Sequence, residues 1–168
     1  RLVQSRSRQS ILAEVAGLVR SGRTVVTDIG GPTANMYGTG CRDAAALKRC
    51  ARQSCLFPAP CPHLATDAAA YLDVLKAARS APGVTAVYVN SGVRYDLALQ
   101  NPAFVAELAR HHVQGELSVA PEHCDEGMLA LMHKPPKEVF EEFLALFRRE
   151  CDRGGRRRLG VAPYLIVG

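Results

Sequence analysis

The sequence predicts an α/β fold of about four parallel strands joined by crossover helices, with a cysteine-rich loop inserted after the first strand. Three observations predict it. Helical stretches alternate with short β-branched runs, the pattern of βα units. Chemistry-bearing residues fall directly after the strands, where βα folds build their sites. The alternation breaks once, between Gly38 and Leu64, where cysteine and proline replace core-forming residues. The 168 residues suffice for one good core, so a single domain is expected over 1–168, with the insertion at about 38–64.

The elements follow in order. Ser7 is a helix cap, and Ile11, Leu12, Val15, Leu18 and Val19 recur on one helical face. Thr24 to Ile29 reads as a buried strand closed by Gly30-Gly31-Pro32. One short helix is expected inside the insertion, near Asp43 to Cys50. Helical periodicity resumes at Asp67, with Tyr71, Leu72, Leu75 and Ala78 facing the core. Pro82-Gly83 turns the chain into a strand from Val84 to Asn90. Asn101-Pro102 opens a helix to about His111. Gly115 to Ala120 is the third strand, and Met128, Leu129 and Met132 mark a short helix. A long helix from Pro136 to Cys151 has an acidic start and a basic end, matching the helix dipole. Leu159 to Val167 is the last strand. Arg1 in place of an initiator Met, and an apolar run at the far end, read as cut termini.

Composition narrows the class. Net charge is +5, with Arg1, Arg6 and Arg8 at one end and Arg153, Arg156, Arg157 and Arg158 at the other. Such clusters suit solvated termini or contact with phosphate and RNA, but the chain has no Trp and few aromatics to stack on bases. No stretch approaches the roughly 20 apolar residues of a membrane span. The polar N-terminal stretch is no signal peptide, so the six cysteines are read as metal or redox residues in a reducing cytoplasm.

Four segments hold the candidate chemistry. Gly30 and Gly31 after the first strand let backbone approach a ligand, or simply turn the chain. Cys41, Cys50, Cys55 and Cys61 offer four thiolates within about twenty residues, enough for tetrahedral zinc or an iron–sulfur cluster. Their spacings match neither common zinc ribbons nor ferredoxins, and cysteine is also a common buried hydrophobe. Ser91, Arg94 and Asp96 after the second strand can bind a carboxylate or ribose hydroxyls; alternatively Arg94 and Asp96 brace their loop. Glu122 and His123 after the third strand suit proton transfer, a cofactor's polar groups, or a structural turn. His111 and His112 point about 100° apart on a helix and are read as terminal caps rather than ligands. Cys151 fits a core stripe, and Cys124 has no evident role.

Several of these strings, in order and spacing, resemble the YgiQ family of radical S-adenosylmethionine proteins. They are Asp28 to Tyr37, Cys50 to Leu56, Ser91 to Asp96, Leu117 to His123, Met132 to Pro135 and Pro163 to Gly168. The resemblance runs from Gln4 to the end of the chain. It implies the middle of a radical S-adenosylmethionine (TIM-like) barrel, a partial barrel with open edges that is prone to aggregate alone. It also implies cofactor contacts from Gly30, Gly31, Thr33, Ser91, Arg94, Asp96, Glu122 and His123. Thr33 stands near the family's acidic position, which moves the amino-group contact to a backbone carbonyl or Asp28.

The cysteines at 41, 50, 55 and 61 resemble the family's own pattern and imply either a second iron–sulfur cluster or zinc. The radical reaction needs a Cys-x3-Cys-x2-Cys loop for a [4Fe–4S] cluster, which this sequence lacks. The resemblance places that loop upstream. The parent is then a radical enzyme fed by a flavodoxin or ferredoxin, its substrate unread, and the isolated segment is inactive. The alternatives are a metal-stapled binding module that contacts RNA, and a phosphate-binding βα barrel enzyme with no radical step.

Overall fold

Ser7 starts the first helix as its position suggests: its hydroxyl accepts from the Ser10 amide at 3.2 Å, and α1 spans Arg8–Arg20. The computed structural model describes residues 3–31 and 33–166. Arg1 of the basic cluster, Pro32 of the Gly-Gly-Pro turn, Val167 of the last strand, and Gly168 at the end of the Pro163 string lie outside the described residues.

The next elements are β1 (Val25–Val26), a 3-10 turn over Ala34–Met36, β2 (Gly40–Cys41), α2 (Ala44–Lys48) and β3 (Leu64–Ala65). They lead into α3 (Ala68–Arg79), β4 (Ala86–Val87), α4 (Tyr95–Leu99) and α5 (Pro102–Glu107), which continues as a π turn through His112. The chain finishes with β5 (Glu116–Glu122), α6 (Glu126–Leu131), α7 (Lys137–Arg153) and β6 (Gly160–Leu165). Asp67 and Asn101 cap α3 and α5 by accepting the Ala70 and Phe104 amides.

Four segments run parallel, in chain order. β1 pairs with β4, and β5 with β6. The two pairs are linked by a single bridge between Val93 and Val119. The fold is therefore mixed α/β, and the described residues form no closed barrel. The first two strands are shorter than expected for a physical reason. Beyond Tyr88, whose amide still donates to the Val26 carbonyl, the backbone donors leave the ladder: the Val89 amide donates to the His112 carbonyl, and those of Asn90 and Ser91 turn to the Asp28 carboxylate.

Two further differences stand out. The cysteine-rich excursion is pinned at its base by an antiparallel ladder, Gly40 to Ala65 and Cys41 to Leu64. The expected loop after β4 becomes helix α4, which buries Tyr95, Leu97 and Ala98. The core joins α3, α5 and α7 to the strands through Tyr71, Leu75, Phe104, Leu108, Phe143 and Leu117. Cys151 is buried in that core, as its place on the α7 stripe requires.

His112 is not a terminal cap. Its ring is fully buried, and Nδ1 donates to the Val87 carbonyl at 2.8 Å, which leaves Nε2 as an acceptor 3.4 Å from the Glu107 carboxylate. Burial, the largest influence, pushes its pKa below the usual histidine value of about 6.5 despite Glu107. His111 moves the same way, through burial first and the Arg79 charge second. Above about pH 6.5 both states are unprotonated, and this contribution to stability is fully present. As pH falls below that value the unfolded chain protonates first, and stability is lost until the folded histidines protonate too. Urea midpoints should therefore decline as pH falls through about 6.5. Replacing both histidines with glutamine should flatten that decline; an unchanged slope would count against it.

Candidate functional site

The loops after β1, β4 and β5 meet at the C-terminal ends of the strands, and side chains rather than ladders join them. Asp28, just past β1, accepts the Asn90 amide at 2.9 Å and the Ser91 amide at 3.2 Å on one carboxylate oxygen. Its other oxygen takes the Ser91 hydroxyl. Gly30 sits against this knot, where an added Cβ would lie 2.5 Å from Ser91 Oγ. The buried Asn35 amide grips the Arg94 backbone from both sides, donating to its carbonyl and accepting from its amide, each at 2.8 Å. The Ala34 amide adds a bond to the Gly92 carbonyl.

Arg94 forks onto Asp96, Nε to Oδ1 at 3.0 Å and Nη2 to Oδ2 at 2.7 Å, with both groups partly buried. Across from it, Lys134 donates to Glu122 Oε1 at 3.0 Å and to the Ala120 carbonyl at 3.1 Å. Between the two ion pairs lies a cavity of about 190 Å³ whose wall includes Thr33, Arg94, Asp96, Glu122 and Lys134. Tyr95 also lines it. Burial first, and the Asp96 charge second, push its pKa to about 12, so it stays a protonated phenol at neutral pH.

Two backbone outliers frame this cavity. Glu122 (φ 71°) and His133 (φ 56°) are the left-handed non-glycine residues among those described. Such conformations cost of order 1–3 kcal/mol each and cluster at functional sites. Here one holds the carboxylate and the other immediately precedes its lysine partner.

The sequence-derived candidates divide accordingly. Thr33, Arg94, Asp96 and Glu122 line the one cavity. Gly30, Gly31 and again Thr33 border a larger space of about 390 Å³ between α1 and β1. Ser91 binds Asp28 instead of facing either as a free hydroxyl, and Asp28 is fully engaged by that loop. His123 braces the start of α6, its Nδ1 accepting the Asp125 amide at 2.9 Å. Of the basic cluster, Arg156 donates to the Arg110 and Val113 carbonyls, which makes it a brace.

Cys41, Cys50, Cys55 and Cys61 are free thiols. Among the described residues no three His, Cys, Asp or Glu side chains converge as a metal group.

Sequence comparison covers the whole of this framework. The chain is 44% identical to a UPF0313 protein of Shewanella oneidensis over 99% of its length, and 46% identical to one from Geobacter sulfurreducens over 100%. It is 40% identical to the UPF0313 protein YgiQ of Salmonella typhimurium over 99%. The chain belongs, as a segment, to the UPF0313 family that includes YgiQ. It spans 21%, 28% and 23% of those three relatives. No protein-family model matches it, and no solved structure does. No helix in the described part of this UPF0313 segment is long and apolar enough to cross a membrane.

Three of the segment's site residues escape sequence reading: Lys134, Tyr95 and Asn35. Lys134 stands in the Met-His-Lys-Pro string, but only the left-handed turn at His133 aims it at Glu122. Asn35 and Tyr95 have no local signal, since their partners lie on other loops.

Proposed function

We propose that this UPF0313 segment forms one wall of an S-adenosylmethionine site in a larger radical enzyme with a TIM-like barrel. The carrying observation is the strand-end cavity framed by two ion pairs and two left-handed residues. A cofactor with an ammonium, a carboxylate and ribose hydroxyls suits a cavity that offers both charge signs. Arg94 and Lys134 face the carboxylate, and Asp96 and Glu122 face the ammonium or hydroxyls. Gly31, with open space where a Cβ would stand, leaves its backbone accessible beside Thr33.

The sequence has no Cys-x3-Cys-x2-Cys spacing, so on this reading the radical cluster belongs to another part of the protein. When bound, that cluster supplies the electron that cleaves the cofactor to a 5′-deoxyadenosyl radical. This segment binds and orients; an electron donor such as flavodoxin or ferredoxin, in the cytoplasm, completes the system. The segment alone is inactive.

The test uses the full-length protein carrying this chain, reconstituted anaerobically. Glu122→Gly removes the carboxylate and the left-handed cost together, so stability should stay within about 1 kcal/mol of the parent. S-adenosylmethionine affinity by calorimetry should nevertheless fall about 10-fold or more, the effect of losing a charge-assisted hydrogen bond. Unchanged affinity in both this variant and Lys134→Ala would remove the site from this cavity. Absence of 5′-deoxyadenosine from the reduced parent would remove the radical reading.

A further inference from the structure

We propose that Cys55 and Cys61 are a redox-active pair, which a small disulfide oxidant converts into a bridge that locks the Phe57 loop against His133. The Cys61 amide donates to the Cys55 carbonyl at 2.7 Å. With standard backbone dimensions, that bond keeps the two Cα atoms within about 6.5 Å, inside the range a disulfide spans. Both thiols are partly exposed, so an oxidant can reach them. Of the other cysteines of the excursion, Cys50 donates its amide to the Leu47 carbonyl, and the Cys41 thiol donates to the Asp43 carbonyl at 3.3 Å.

The intervening loop is already ordered without a bridge. Arg52 donates to the Ser54, Phe57 and Ala59 carbonyls, at 3.1, 3.3 and 2.7 Å. The Ser54 hydroxyl accepts the Leu56 amide at 3.1 Å. The bridge therefore closes a loop whose ends are already held near each other. From this loop the Phe57 ring stacks on His133, centroids 4.7 Å apart and planes at 16°. His133 immediately precedes Lys134, so the pair sits one residue from the cavity's cation.

The chemistry balances as thiol–disulfide exchange. One thiolate attacks the oxidant's disulfide and releases one of its thiols, leaving a mixed disulfide. The second thiolate displaces the other. The two cysteines lose two electrons and two protons, and the oxidant is reduced to two thiols. None of these steps depends on S-adenosylmethionine.

The full 168-residue chain is equilibrated with oxidised and reduced glutathione, alkylated and digested with trypsin. The peptide Gln53 to Lys76 contains just these two cysteines. It should lose about 2 Da and resist alkylation under oxidising buffer, and revert with excess reduced glutathione. Cys50→Ser should still form the bridge, and Cys55→Ser should not. Hydrogen exchange at Leu56, Phe57 and Ala59 and at His133 and Lys134 should slow on oxidation in the parent and in Cys50→Ser. Bridges to Cys41 or Cys50, glutathione adducts alone, or unchanged exchange at His133 would overturn the proposal.

Discussion

Asn35→Ala should lower the stability of the chain by about 2–4 kcal/mol, the loss of two buried hydrogen bonds plus one backbone amide left without a partner. Asn35 is 6% exposed, and its amide is the link between the loop after β1 and the Arg94 backbone. Alanine leaves the Arg94 amide unpaired, while the Arg94 carbonyl keeps the Ala98 amide as its donor. Asparagine suits the position because it presents a donor and an acceptor side by side. Asn35→Asp keeps the acceptor but sets a carboxylate against the Arg94 carbonyl, so it should be no milder than alanine. Urea unfolding measures the cost, and hydrogen exchange at the Arg94 amide locates it. A loss below about 0.5 kcal/mol would show that these loops are held by packing alone.

Gly30→Ala should cost about 1–3 kcal/mol, the usual range for forcing extra volume into a filled site. The new Cβ would stand 2.5 Å from Ser91 Oγ, 2.6 Å from Ser91 Cβ and 3.1 Å from Asp28 Oδ1. A hydroxyl could rotate away, but Ser91 Cβ is fixed to a backbone that Asp28 already holds. The loop must move and loosen the Asp28–Ser91 knot. Two companions separate this from an ordinary glycine effect. Gly31→Ala meets nothing within 4 Å and should be nearly neutral. Ser91→Gly in the Gly30→Ala background removes the obstructing atoms and should restore part of the loss. If Gly31→Ala proves as damaging as Gly30→Ala, close approach is not the reason glycine stands at position 30.

The contrast between these neighbours shows what the sequence made legible. Helix starts were readable because a cap and its helix are a few residues apart, as with Ser7, Asp67 and Asn101. The parallel order of the strands followed from β-branched runs alternating with amphipathic helices. Thr33, Arg94, Asp96 and Glu122 were readable as a group because each follows a strand, and parallel strands deliver such residues to one end. The pairings were not readable. Arg94 with Asp96 had been one of two open readings, whereas Asp28 with Ser91 and Asn35 with Arg94 had no local trace. The excursion shows the same limit: the spacing of four cysteines gave no hint of the backbone bond that brings Cys55 and Cys61 together. His112 was misread as a cap because nothing near it in sequence announces the Val87 carbonyl.

The stitching of the strand ends by Asp28 and Asn35 has a consequence for the order of folding. Asp28 reaches residues 62 and 63 positions away, and Asn35 reaches one 59 positions away. Such contacts require a long stretch of chain to be closed first, and long-range closure is slow. Helices and local turns form early, whereas the rim that frames the cavity is completed only when β1 and β4 have come into register. The same rim has few ladder bonds of its own, so it belongs to the part of the molecule that opens without global unfolding. The cavity wall is thus the last piece assembled and the first released.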